Sequence, residues 1–236
     1  SHVLENTLVT NIYHEEISLL MMHQMNKEFD GALQTAIDIF TDNHPKKFLH
    51  QLVSSQLDVD RLDYLRRDSF FTGVVEGNIG SARIIKMLDV KDDKLVIESK
   101  GINSIENFLM SRRLMYWQVY LHKTAMAAEK MLVNTLSRAK ELSNNGDKLF
   151  ASPALSYFLN TDTTLEDFSN NGIAIQHFAN LDDNDIWSSL KVWASHKDTV
   201  LSVLSEGMVN RKLCKMEITD KKKPEDKIEQ ILEKKK

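Results

Sequence analysis

Polar and apolar positions recur along most of this chain at helical spacing. Residues 54–73 show it most sharply. Read at about 100° per residue, Asp60, Asp63, Tyr64, Arg67 and Asp68 share one helix face, while Leu62 and Leu65 point the other way. Upstream, Tyr13-His14-Glu15-Glu16 opens an amphipathic helix running to about Phe29. A further apolar helix covers about Gly31 to Phe40 and ends at the Asn43-His44-Pro45 break, and a short helix runs from Lys47 to Ser54. Downstream, Lys91-Asp92-Asp93 is a turn signal, and the β-branched run Lys94 to Ser99 predicts a small hairpin over residues 83–99, closed by Gly101.

From about Ser104 to Ser143 the helical period continues without Gly or Pro, which predicts one long helix. Arg112, Tyr116, Tyr120 and Lys123 fall on one side of it, within roughly 80°. Asn144-Asn145-Gly146-Asp147 stops that helix and is the best internal boundary, separating residues 1–146 from a helical subdomain over 147–210. In the second part Pro153 and Ala154 start a helix to Leu159. Leu181 to Asp185 cap a helix over about Ile186 to Ser195, and another runs from Asp198 to Gly207. Residues 211–219 alternate as an edge strand would, and Pro224 opens a charged helix over Glu225 to Lys235. Residues 211–236 therefore read as the strand-helix start of a further unit. The expected class is mainly α: a helical bundle with one hairpin and a short terminal strand-helix.

Composition agrees with that class. Eight Gly and three Pro in 236 residues leave little material for the turns of a many-stranded sheet. The single cysteine, Cys214, excludes an internal disulfide framework and a multi-cysteine zinc site, and fits a reducing compartment. There is no run of about 18 apolar residues and no basic-then-apolar leader, so the expectation is a cytoplasmic chain without a membrane partner. The net charge of −4 carries no footprint for duplex nucleic acid. Arg211 to Lys236 carry ten basic against six acidic residues, +4, which leaves −8 for residues 1–210; a basic end of this kind is usually a solvated one.

Each chemically suggestive cluster has a plain reading beside a functional one. The charged face of residues 60–68 is either a solvated surface laced by Asp63 and Arg67 at i, i+4, or a site wall. In the second reading a carboxylate, an arginine and a tyrosine supply a metal ligand, a phosphate contact and a platform for a sugar or base. His14 beside Glu15 is either two ordinary first-turn residues or an acid/base pair. The tyrosines and cations of residues 112–123 either snorkel at a core boundary or line a pocket for an anionic nucleotide.

Three blocks in order resemble one family. Leu57-Asp58-Val59-Asp60-Arg61-Leu62-Asp63-Tyr64-Leu65-Arg66-Arg67-Asp68 resembles the last signature of the HD-domain deoxynucleoside triphosphate triphosphohydrolases. Tyr13-His14-Glu15-Glu16 upstream and Arg112 through Tyr120-Leu121-His122-Lys123 downstream agree with it, and Ser1-His2 resembles the end of an earlier segment of that family. The resemblance covers about residues 1–215. It implies an all-helical phosphohydrolase that depends on a divalent metal (Mg, Mn, Fe, Zn or Ni), cleaves dNTPs to deoxynucleoside and triphosphate, and forms a homo-oligomer.

By position the resemblance makes Asp60 the last metal ligand and His2 the proton donor, with His14 and Glu15 supporting it. It puts Arg61, Arg112 and Lys123 on phosphates, Tyr64 and Tyr120 beside the sugar or base, and Asp68 on the 3′-hydroxyl. Tyr116 stands where relatives can carry histidine. No His-Asp dipeptide occurs in the 236 residues, so the family's remaining metal ligands are not in this sequence. Two expectations follow: an internal piece of a longer enzyme, or a non-catalytic nucleotide-sensing or scaffolding domain derived from the HD fold.

Overall fold

The computed structural model describes residues 3, 7–9, 12–170 and 172–216. His2 and the helix expected over 225–235 lie outside the described residues.

The described residues are mainly helical, with one two-stranded antiparallel sheet among them. Helix α1 (His14–Glu28) is capped by Glu16, whose carboxylate accepts from the Tyr13 backbone N–H at 3.0 Å. After α2 (Gln34–Phe40) and α3 (Lys47–Val53) comes α4 (Val59–Thr72). Asp58 caps α4 at its start, and Gly73, at φ 73°, ends it in the left-handed conformation that glycine adopts without strain.

Helix α5 (Ser81–Met87) leads directly into the hairpin β1 (Leu88–Lys91) and β2 (Lys94–Ile97). The hairpin is thus shorter than the expected 83–99. Residues 83–87 are helical because Ile84 buries its side chain in one core with Leu62, Leu65 and Phe108, where helical spacing outweighs the β-branched local preference. The turn lies where the sequence marks it, with Asp92 and Asp93 at φ 50° and 57°, and pairing runs from Leu88 with Ile97 to Lys91 with Lys94.

The expected long helix is interrupted. Helix α6 (Ile102–Met115) passes into one π turn, Tyr116–Tyr120, in which the Leu121 N–H reaches the Tyr116 carbonyl at 2.8 Å. His122 then leaves helical geometry, and its Nδ1 accepts from the Thr124 N–H at 3.2 Å to cap α7 (Lys123–Asn144). An uninterrupted period in the sequence does not reveal a side-chain cap that restarts the helix.

Beyond it lie α8 (Pro153–Asn160), α9 (Leu165–Asn170), α10 (Ile173–Ala179), α11 (Asp183–Trp193) and α12 (Thr199–Val209). Residues 212–216, the described part of the expected edge strand over 211–219, form no strand, and residues 217–219 lie outside the described residues. The chain turns there through Arg211 at φ 54°, and the Lys212 N–H closes on the Gly207 carbonyl at 2.8 Å.

Two apolar cores organise the chain. The larger gathers Leu8, Val9 and Ile12 with α1, α7 and α8–α12, around Leu136, Phe158 and Trp193. The smaller gathers Leu62, Leu65, Ile84, Phe108 and Met115 from α4, α5 and α6. Complete burial of a Leu or Phe contributes about 1.5–3 kcal/mol, so each core is a substantial anchor. Gly77 lets the chain after α4 sit directly on α6: a Cβ there would lie 2.5 Å from Met115 Sδ. The π turn and the start of α7 bridge the two cores, and a cavity opens beside them.

Candidate functional site

The cavity has a volume of about 1050 Å³. Helix α1 contributes His14, Glu15 and Ser18, and α4 with its approach contributes Asp58, Asp60, Arg61 and Tyr64. The π turn contributes Tyr116, Val119 and Tyr120, and α7 adds Ala125 and Glu129. Phe40, His50, Val53 and Ser54 close the remaining side. Residues from the three sequence blocks thus meet at one concavity, although Asp60 and Tyr116 are separated by more than 50 positions.

The start of α4 is built by Asp58, a buried carboxylate at 2% exposure. One oxygen accepts from the Arg61 N–H at 2.8 Å, and the other from the Ser55 N–H at 3.3 Å. Arg61 folds back onto the same residue, its Nη1 donating to Asp58 and to the Ser55 carbonyl, the latter at 2.6 Å. This clamp holds the guanidinium at the cavity edge, and its Nε is buried with no hydrogen-bond partner among the described residues. Sequence reasoning passed over Asp58; the signal for it was an aspartate immediately before the first helical residue. Asp60, in the first turn of the helix, is exposed toward the cavity.

The predicted stripe divides. Asp60, Arg61 and Tyr64 line the cavity, whereas Arg67 donates to Asp63 on an exposed surface outside it. Asp68 does not line the cavity either. It accepts a 2.6 Å hydrogen bond from the Tyr120 hydroxyl and so positions that ring. Three tyrosines then interlock edge-on, with centroids 5.9 Å apart for Tyr64 and Tyr120 and 5.1 Å for Tyr116 and Tyr120. Burial is the main cause of raised phenol pKa values at Tyr64 and Tyr120, reinforced at Tyr64 by Tyr116 and at Tyr120 by Asp68. Both are therefore neutral hydrogen-bonding groups at physiological pH.

Arg112 is not among the lining residues; its Cζ lies 5.7 Å from the ring centre of the lining residue Tyr116, and it donates to Gln56 Oε1 at 2.9 Å. Lys123 is exposed at the first position of α7 and is not among the lining residues. His14 Nε2 and Glu15 Oε1 are 3.3 Å apart at the opposite wall.

The donor set does not complete a metal centre. Among the described residues no group of three or more His, Cys, Asp or Glu is arranged to hold an ion, and one carboxylate at Asp60 is not a transition-metal site. Among the same residues, no helix is long and apolar enough to cross a membrane.

Comparisons with known proteins fit this arrangement. Residues 79–151, from the end of the Gly77 turn through the π turn and α7, match the HD associated region. A solved phosphohydrolase from Bacteroides thetaiotaomicron superposes with a TM-score of 0.95 at 63% identity, covering 99% of this chain and 58% of that one. YwfO of Bacillus subtilis is 33% identical over 190 residues, 80% of this chain and 42% of its own length. The deoxynucleoside triphosphate triphosphohydrolase SAMHD1 homolog of Dictyostelium discoideum is 25% identical over 149 residues, 58% of this chain and 29% of that protein. The fold and these similarities liken the chain to proteins of the HD superfamily. The chain resembles proteins named as phosphohydrolases, and it spans less than half the length of YwfO and of the Dictyostelium protein.

Proposed function

We propose that this chain forms the nucleotide-binding wall of an HD-type phosphohydrolase that cleaves deoxynucleoside triphosphates to deoxynucleoside and triphosphate. The observation that carries the reading is the convergence of Asp60, Arg61, Tyr64, Tyr116 and Tyr120 with the His14–Glu15 pair around one cavity of nucleotide size. The name of the Dictyostelium relative supports the choice of substrate class.

In this reading Arg61 and Arg112 meet phosphate oxygens, since a guanidinium fork suits their geometry and stays charged. The neutral phenols of Tyr64 and Tyr120 border the sugar, where a fixed hydroxyl can donate without adding negative charge near the phosphates. The Asp68 carboxylate, occupied by Tyr120, acts by positioning that ring. His2, which lies outside the described residues, delivers the proton to the departing 5′-oxygen as water adds to the α-phosphorus, and the His14–Glu15 pair supports it. A divalent cation belongs to the proposal with Asp60 as one ligand; the described residues do not supply the rest, and no step is assigned through it. A homo-oligomeric assembly is part of the same reading, which the solution mass by light scattering tests.

The test is release of inorganic triphosphate from dNTPs by the full-length protein with Mg²⁺ or Mn²⁺. Partners behind a metal ligand commonly matter 10–100-fold, so Asp60→Ala, which removes a ligand itself, should lower turnover by more than about a hundredfold. Undiminished activity in that variant would sink the metal role. The incomplete donor set favours a second reading, a nucleotide-sensing or scaffolding domain without catalysis. Its signature is calorimetric dNTP binding by the full-length protein with no metal-dependent turnover.

A further inference from the structure

The resemblance leaves one side of the cavity without a role: Phe40 from α2, with His50, Val53 and Ser54 from α3 and its end. Within this wall the His50 ring has a defined orientation. Its Nδ1 lies 2.9 Å from the Ile39 carbonyl oxygen. A carbonyl oxygen only accepts, so Nδ1 carries the hydrogen, and in the uncharged ring Nε2 is an acceptor. Nε2 has no hydrogen-bond partner among the described residues.

The helix that carries the ring is itself held. The Gln51 side chain accepts from the Leu95 N–H at 2.7 Å, and Asp93 accepts from the Lys47 N–H at 2.9 Å, so the hairpin braces α3 at two points. The residue after Ile39 is Phe40, which lines the same cavity, and Val53 lies one turn beyond His50. A single fixed acceptor beside two apolar side chains suits a nucleoside, whose base has flat apolar faces and whose base edge and hydroxyl carry donors, and not a polyphosphate, which needs cations or donors.

We propose that His50 is a ligand-contacting residue whose Nε2 accepts a hydrogen bond from an N–H or O–H of the nucleoside part of the substrate, with Phe40 and Val53 packing against that part. The assignment rests on the nucleotide reading of the same cavity. It gives the α2–α3 side to nucleoside recognition and leaves the triphosphate to Arg61 and Arg112.

The test compares wild type, His50→Asn and His50→Gln in the full-length protein, using calorimetry with dNTPs and with inorganic triphosphate. Asparagine retains a donor for the Ile39 carbonyl but removes the group that reaches the cavity; glutamine can restore an acceptor near the Nε2 position. His50→Asn should weaken dNTP binding about tenfold, as expected for loss of one hydrogen bond in a desolvated site, and shift binding of inorganic triphosphate less than about twofold. His50→Gln should recover part of the dNTP affinity.

Two ligand arms identify the donor. If the loss disappears with 2′,3′-dideoxynucleotides the partner is the 3′-hydroxyl, and if it varies with the base the partner is a base N–H; both support the proposal. Equal loss for dNTP and inorganic triphosphate, or no loss at all, overturns it while leaving the nucleotide reading intact. Wild-type protein that binds no nucleotide overturns both. Thermal melts of the variants separate a binding loss from unfolding.

Discussion

The Tyr120 hydroxyl donates a 2.6 Å hydrogen bond to the Asp68 carboxylate across 52 positions of sequence, tying the π turn to the C-terminal half of α4. This bond places the Tyr120 ring edge-on to both Tyr64 and Tyr116. Tyr120→Phe should cost about 1 kcal/mol in denaturant unfolding, near the low end for a bond to a charged acceptor because solvent reaches the pair. Asp68→Asn, which keeps an acceptor, should cost less.

The same phenol predicts an alkaline signature. Burial, then the hydrogen bond to Asp68, raises the Tyr120 pKa above the ordinary value of 10.0. A raised native pKa contributes stability that is fully present below about pH 10 and is lost as pH climbs toward the native value. Native protein near pH 10.5 should therefore show less tyrosinate absorbance than the unfolded chain, and the gap should narrow in Tyr120→Phe. Equal absorbance in the folded and unfolded states would remove the claim.

Arg112 is half-buried and held by Tyr116 and Gln56, and its side chain is a member of neither apolar core. Arg112→Ala should leave the melting temperature nearly unchanged and weaken dNTP binding by about tenfold or more, as loss of a charge-assisted phosphate contact predicts. Calorimetry with dNTP and with the free deoxynucleoside checks it, since only the first ligand should respond.

Asp58 combines a helix cap with a buried ion pair. Asp58→Ala removes the acceptor for the Arg61 and Ser55 N–H groups and leaves the Arg61 guanidinium without its carboxylate. A lost cap costs about 1 kcal/mol and a broken, largely buried pair more, so the expected destabilisation is about 2–3 kcal/mol by urea unfolding. Asp58→Asn should retain the cap and lose only part of this.

A second clip predicts the acid response. Asp198 accepts from Arg138 Nη2 at 2.6 Å and Nε at 3.2 Å, and caps α12 through the Leu201 N–H at 2.8 Å. The Arg138 bond first, then the Leu201 N–H, lowers its pKa from 3.8 to about 2. A depressed carboxylate pKa contributes stability above the unfolded value that is lost as pH falls toward the folded one. The slope of stability against pH between about 4 and about 2 should be shallower in Asp198→Asn than in wild type.

Much of the helical framework was legible because its signals are local. Asp182 and Asp198 stand just before the residues they cap, Pro153 sits at the first helical turn, and Asp92-Asp93 adopts the positive φ its turn requires. Residues 83–87 misled because the burial of Ile84 in the smaller core, a long-range fact, overrode a local preference for strand. The break at Leu121 and His122 was hidden because the π turn before it differs from an α turn by one carbonyl, with no distinctive residue to mark it.

Sequence by itself determined the class of fold, several of the helix starts and the three blocks of polar residues, since each depends on spacing within a few turns of chain. Only the tertiary structure decided which members of those blocks meet. It set Asp60, Arg61 and Tyr64 on the cavity, left Asp63 paired with Arg67 outside it, and engaged Asp68 with Tyr120. It also brought His50 and Phe40 to the cavity's remaining wall. A helical period fixes a side chain's direction around its own axis. Which direction becomes interior follows from how two separate apolar cores pull α4, α6 and α7 together.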